Sequence, residues 1–262
     1  MSLIHCNFNS QVLDKSTSMY VILPEVKLSE RKVEDLKYQT LYLLHGIGDD
    51  HTKWARRTNI ERYVKEYNVA VIMPEVDKSF YADMEYGNNY WTFISEEVPN
   101  IARTYFPLSD KREDNFVAGL SMGGYGSFKL ALNKPESFEA AASFSGALDI
   151  VGLLSQEDND VIKNNRKIVE AVFGGHNKIN NSINDLFYLA KNLKESGRYI
   201  PRLYQCCGTE DSLYECNISF RNFAKDIGID LTYEDGTGNH DWEYWDKSIQ
   251  KALEWFNLNR KY

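Results

Sequence analysis

The residues with the clearest chemical content are the five around Ser121: Gly119-Leu120-Ser121-Met122-Gly123. Taken bare, a Gly-x-Ser-x-Gly pattern arises by chance in roughly one chain in ten of this size at average glycine usage. Its surroundings make it specific. The apolar run Phe116-Val117-Ala118 precedes it and the helix-like stretch Gly124 to Leu132 follows. That is the strand, sharp turn and helix on which a nucleophilic serine projects from a sheet. Small residues two before and two after the serine relieve crowding in the turn. The amide ends of the following helix favour negative charge beside the serine oxygen. The competing reading is a structural turn without chemistry.

A serine hydroxyl needs a base to take its proton. The chain has five histidines, His5, His45, His51, His176 and His240. In the order serine, acid, histidine expected of such a sheet, only His176 and His240 qualify. His176 follows Gly174-Gly175 with no strand before it and reads as a loop residue. His240 follows the last predicted strand and the loop Glu234 to Asn239, so it is the expected base. The expected acid is Asp211, in Gly208-Thr209-Glu210-Asp211-Ser212 after an apolar run. Its carboxylate would accept from one ring nitrogen of His240 and set the tautomer. Glu210 and Asp149 are the competing acids, and Asp241 reads as a helix cap. An oxyanion needs two donors. The Met122 amide is one; the other is the Ile47 amide in the loop Leu44-His45-Gly46-Ile47-Gly48, where His45 reads as a loop anchor. Trp54 and Trp242 are candidate substrate-pocket walls, Trp54 equally a packing residue.

These groups need strands to carry them. Short apolar runs at Met19–Pro24, Thr40–Leu44, Val69–Pro74, Asn115–Leu120, Ala141–Ser145, Arg202–Cys207 and Ile229–Tyr233 read as seven strands. Between them, Ile60–Tyr67, Glu97–Tyr105, Gly124–Leu132, Ile218–Ile227 and Tyr244–Phe256 carry apolar residues at spacings of three and four. Such alternation predicts an α/β fold, a mostly parallel central sheet with helices on both faces, with the active site at the carboxyl ends of the strands. No linker or repeat divides residues 1–262, which read as a single domain. The stretch 147–200 exceeds one crossover and holds two helix-like pieces, Asp160–Phe173 and Asn184–Leu193. It reads equally as a partial cap over the site and as ordinary packing helices.

Composition narrows the partners. Lys and Arg number 30 against 38 Asp and Glu, a formal net charge of −8, the wrong sign for nucleic acid. No apolar run is long enough to span a membrane, and no secretory signal opens the chain. Cys206 and Cys207 sit in a strand-like run and read as reduced core thiols; with Cys6 and Cys216 they suit a cytoplasmic protein better than a Cys206–Cys216 disulfide does. The histidines lack a helical i, i+4 pair and the cysteines lack paired two-residue spacing, so neither metal nor cofactor is expected. A small-molecule ester is the expected partner, and a homo-oligomer stays open.

Five motifs together resemble the esterase D branch of the α/β hydrolases, and most closely the bacterial tributyrin, acetyl and feruloyl esterases. They are Leu43-Leu44-His45-Gly46, Tyr90-Trp91-Thr92-Phe93-Ile94-Ser95-Glu96-Glu97, Gly119 to Gly126, Gly208-Thr209-Glu210-Asp211 and His240-Asp241-Trp242. The resemblance implies the α/β-hydrolase fold and a cofactor-free esterase for short acyl chains, with Ser121, Asp211 and His240 as its triad. S-Formylglutathione hydrolases are similar too, but their oxyanion segment reads Ser-Gly where this chain has His45-Gly46, which argues against a glutathione thioester. An acyltransferase and a non-catalytic binding protein on the same fold are the remaining alternatives.

Overall fold

Successive side chains of a strand face opposite sides of its sheet, so a strand apolar throughout must be covered on both. Three runs have that character: β3 (Gln39–Leu44), β4 (Val69–Pro74) and β5 (Asn115–Leu120) are buried at every position. They form the centre of the sheet in the computed structural model, which describes residues 1–25, 37–155 and 160–259. The sheet has eight strands in the order β1-β2-β4-β3-β5-β6-β7-β8, completed by β1 (Ser2–Ser10), β2 (Lys15–Leu23), β6 (Ala140–Phe144), β7 (Arg202–Gly208) and β8 (Leu231–Gly236). From β4 to β8 all pairings are parallel; β1 and β2 add an antiparallel hairpin at one edge. The expected mostly parallel sheet with helices on both faces is thus present.

Ten α-helices flank the sheet among the described residues. One face packs Trp54 of α1 (Lys53–Arg57), Ile60 of α2 (Ile60–Tyr63), and Ile249 and Leu253 of α10 (Trp242–Trp255) onto Leu41, Leu43, Val71 and Phe116. The other carries α3 (Tyr90–Thr92), α4 (Val98–Tyr105), α5 (Met122–Asn133), α6 (Ile150–Ser155), α7 (Asp160–Phe173), α8 (Leu186–Glu195) and α9 (Tyr214–Asp226). Helix α5 lies between the sheet and α8, and nearly every residue of it is buried. It ends before Pro135, as α4 ends before Pro107, because the residue preceding a proline is pushed out of the helical region.

Two sequence expectations need correction. The strand expected to open the sheet is its second. Strand β1 escaped notice because Ile4, Cys6 and Phe8 alternate with the exposed or half-exposed His5, Asn7 and Asn9, so it offers no apolar run. The turn joining it to β2 is held by Glu97, which accepts from the Ser10 hydroxyl and from the Gln11 amide at 2.6 Å. The last strand begins at Leu231 rather than Ile229 and runs on through Glu234 and Asp235, polar residues that an edge strand tolerates. Within 147–200, α8 packs against α5 and α9, and Ile150 and Leu153 of α6 and Val169 of α7 line the space beside Ser121.

Candidate active site

Ser121 sits between β5 and α5 with φ 53° and ψ −119°, a left-handed conformation uncommon for a residue with a β-carbon. The turn closes so tightly that a methyl group on Gly119 would stand 2.3 Å from the Gly123 carbonyl oxygen, and one on Gly123 would stand 2.5 Å from that of Leu44. Only glycine fits either place, which explains the pattern around the serine in steric terms.

Two further loops meet at this elbow. The β7–α9 loop carries Asp211 and the β8–α10 loop carries His240. They are bound to each other by the Thr209 amide donating to the Gly236 carbonyl at 2.9 Å and the Glu210 amide donating to that of Gly238 at 3.1 Å. The Glu210 carboxylate accepts from the Gly238 amide, so this alternative acid clamps the loops and does not reach the imidazole. His240 Nε2 lies 2.9 Å from Ser121 Oγ, and Nδ1 lies 3.0 and 2.9 Å from the two Asp211 carboxylate oxygens. The Trp245 ring stands edge-on to the imidazole at 4.9 Å between centroids. Burial pushes the Asp211 carboxyl up, but the His240 hydrogen bond and charge and the Leu213 amide outweigh it and hold the pKa below the usual carboxylate value. Asp211 is therefore ionised at neutral pH, with its side chain shut off from solvent.

The remaining candidates fall as follows. Asp149 is occupied by the Gly152 amide at 2.8 Å and the Ser219 hydroxyl at 3.1 Å. Asp241 caps α10 by accepting from the Tyr244 amide at 3.0 Å. His176 lies in a separate 3-10 turn, His176–Lys178. His45 is buried; its Nε2 accepts from the Val76 amide at 3.1 Å, so Nδ1 carries the proton and donates to the Gly46 carbonyl at 2.8 Å. A methyl group on Gly46 would reach within 3.5 Å of Ser121 Cβ, so this backbone passes directly beside the serine. Among the described residues, neither the Ile47 nor the Met122 amide donates to a protein acceptor, which leaves both available to an oxyanion.

The pocket expectation for the two tryptophans is corrected. Trp54 is buried in the core of the other sheet face, with its indole donating to the Leu44 carbonyl at 2.9 Å and Trp242 edge-on at 5.1 Å. Neither ring lines the cavity of about 170 Å³ that opens beside Ser121 and His240. Its walls are Ile47, Phe80, Ile150, Leu153, Val169 and Leu213, with Ala147, Met122 and Ser212 filling the gaps. Sequence reasoning missed Phe80, Ile150, Leu153, Val169 and Leu213. They are ordinary apolar residues on four separate segments, and no local pattern marks them. Among the described residues, no group of three or more metal-ligating side chains comes together and no helix is long and apolar enough to cross a membrane.

Comparison with known proteins identifies the family. Residues 10–256 match the family described as "Putative esterase". The acetyl esterase of Caldicellulosiruptor saccharolyticus is 36% identical over 264 residues, covering 98% of either chain. Among solved structures, the fluorophosphonate-binding serine hydrolase FphF of Staphylococcus aureus superposes with a TM-score of 0.88 at 38% identity, over 97% of this chain and 98% of that one. The S-formylglutathione hydrolase FrmB of Staphylococcus aureus superposes at 0.85 with the same identity and coverage. The chain belongs to this esterase family and is a serine carboxylic ester hydrolase of the α/β-hydrolase fold.

Proposed function

We propose that the protein hydrolyses short-chain acyl esters, acetyl to butyryl, through an acyl-enzyme on Ser121. The alcohol part is a small alkyl group or a sugar, and feruloyl esters are a further class to try. One observation carries the reading: the hydrogen-bonded series Asp211–His240–Ser121 ends in an apolar cavity of about 170 Å³. Ser121 Oγ attacks the ester carbonyl while His240 Nε2 takes its proton. Asp211 holds Nδ1–H and balances the imidazolium. The Ile47 and Met122 amides receive the oxyanion. As the carbon–oxygen bond breaks, His240 returns the proton to the leaving alcohol. Water then attacks the acyl-enzyme, gives its proton to His240, and the acid leaves as Ser121 is restored. No cofactor is needed in this sequence. The chain would act as a single domain, with α6 and α7 as a partial cap, in the cytoplasm.

The test is Ser121→Ala, assayed with p-nitrophenyl acetate alongside circular dichroism. A folded variant with nearly all turnover lost is expected; wild-type turnover would refute the assignment. The likeness to FrmB supports a second reading, a thioesterase for S-formylglutathione. A formyl group would leave the apolar walls unfilled, which favours the alkyl ester. A specificity constant for that thioester well above those of the acetyl and butyryl esters would reverse the order.

A further inference from the structure

Helix α5 places a lysine where a charge is costly. Lys129 has no exposed surface, and among the described residues no carboxylate comes within ion-pair distance of it. Its Nζ donates to the Tyr81 carbonyl at 2.7 Å and to Asn184 Oδ1 at 2.6 Å, and stands over the Trp91 ring at 4.9 Å. Burial brings its pKa down to about 7, and the charge of Asp83 restores only part. A buried amine with two well-made hydrogen bonds and no counter-ion is seldom retained for stability, since an apolar residue packs there more cheaply.

What it holds is the segment before α3. Phe80 and Tyr81 are consecutive residues with φ 48° and 50°, a pair of left-handed conformations that neither side chain favours and that need restraint; locally, the Ser79 hydroxyl accepts from the Tyr81 amide at 3.1 Å. The Tyr81 ring lies against α5 so closely that a methyl group on Gly126 would stand 2.4 Å from it. Its hydroxyl donates to the His45 carbonyl at 2.8 Å. Phe80, one residue earlier, is a wall of the cavity beside Ser121.

From this we infer that Lys129 and Tyr81 are positioning residues for the oxyanion loop: Lys129 fixes the Tyr81 backbone, and the Tyr81 hydroxyl fixes His45 and so the Ile47 amide. The inference rests on the Ser121 reading. Neither residue touches the reacting atoms. Their effect should appear where the oxyanion forms, in kcat, because a donor moved by about 1 Å can cost on the order of 100-fold.

Tyr81→Phe removes one hydroxyl, and Lys129→Met removes the amine and both its hydrogen bonds at similar volume. For p-nitrophenyl acetate, Tyr81→Phe should lower kcat about tenfold and Lys129→Met by up to about the same factor, with KM within twofold of wild type. The double variant should fall no further than Tyr81→Phe, because the two act in series and the Tyr81 hydroxyl is the last link. The rate of Ser121 labelling by a fluorophosphonate should fall in the same order, since its phosphoryl oxygen needs the same amides. If wild type labels and folded Tyr81→Phe labels and turns over at the wild-type rate, the positioning role is refuted while Ser121 stands. If wild type itself fails to label, both fall. Multiplicative losses in the double variant would also overturn the series arrangement. Should Lys129→Met fail to fold, Tyr81→Phe alone decides.

Discussion

The cavity beside Ser121 makes a quantitative prediction about acyl length. Its walls are apolar, and three of them come from α6 and α7: Ile150, Leu153 and Val169, all buried. Each methylene moved from water into such a space contributes about 0.8 kcal/mol. With RT near 0.6 kcal/mol, that is about a fourfold gain in kcat/KM per carbon. A ladder of p-nitrophenyl esters from acetate through butyrate to octanoate should therefore climb in roughly fourfold steps, then break where the chain meets Leu153 and Val169. Leu153→Ala deletes three carbons from that wall and should move the break outward by about two methylenes. It should also cost on the order of 2–3 kcal/mol of stability, the low end for a buried leucine because the wall already borders a void. Val169→Ala, with two carbons deleted, offers a milder version. The measurement is kcat/KM along the ladder for all three proteins, with alkyl acetates of rising alcohol length as the counterpart series. A flat ladder, or a break that stays in place in Leu153→Ala, would refute the assignment of this cavity to the acyl chain. A slope in the alcohol series alone would give the cavity to the alcohol.

Two other predictions concern the buried groups. In Asp211→Asn the amide nitrogen faces His240 Nδ1, the imidazole carries its proton on Nε2, and kcat should fall on the order of 10⁴-fold; a loss below tenfold in esterase assays would remove Asp211 from its role. The sign of its pH effect follows from the lowered carboxyl pKa. Ionised Asp211 contributes stability above its unfolded pKa of about 4, and that contribution is lost as pH falls through the lower folded value. Acid titrations of melting temperature should accordingly be flatter for the variant. Among the thiols, burial pushes Cys206 and Cys216 up to about 12 and raises Cys207 as well. At pH 8 a disulfide reagent should leave all three unmodified in the native protein and react with them in denaturant; rapid native labelling, located by mass spectrometry, would contradict the packing.

The parts of this molecule legible in the sequence are those in which one residue type answers a local need. Gly119 and Gly123 were readable because no other residue fits the turn, and β3, β4 and β5 because burial on both faces demands unbroken apolar runs. His240 and Asp211 followed from chain order and from the glycine-rich loops that carry them. Strand β1 was illegible because an edge strand needs only one apolar face. Trp54 is ambiguous in the sequence because an aromatic side chain close to a candidate oxyanion loop can point to either side of the sheet; its indole turns to the Leu44 carbonyl on the side away from the cavity, the packing alternative.

The supports of the candidate site lie beyond sequence reasoning for a further reason, which Tyr81 makes plain. Nothing at Ser79-Phe80-Tyr81-Ala82 announces two left-handed residues, since the positions that usually adopt that conformation are glycine or asparagine. A local turn on Ser79, whose hydroxyl accepts from the Tyr81 amide, shares the hold with Lys129 from α5 and the His45 carbonyl from the loop after β3. Forty-eight residues separate Tyr81 from Lys129 in the chain. A lysine inside an otherwise small and apolar helix is the one visible trace of this arrangement. By pattern alone it reads as the solvent-facing side of α5, yet Tyr81, Trp91 and Asn184 surround the amine and the side chain is fully buried. A charge-bearing residue on a helix covered all round must be satisfied by the protein, and its partners are the place to look for what holds an active-site loop.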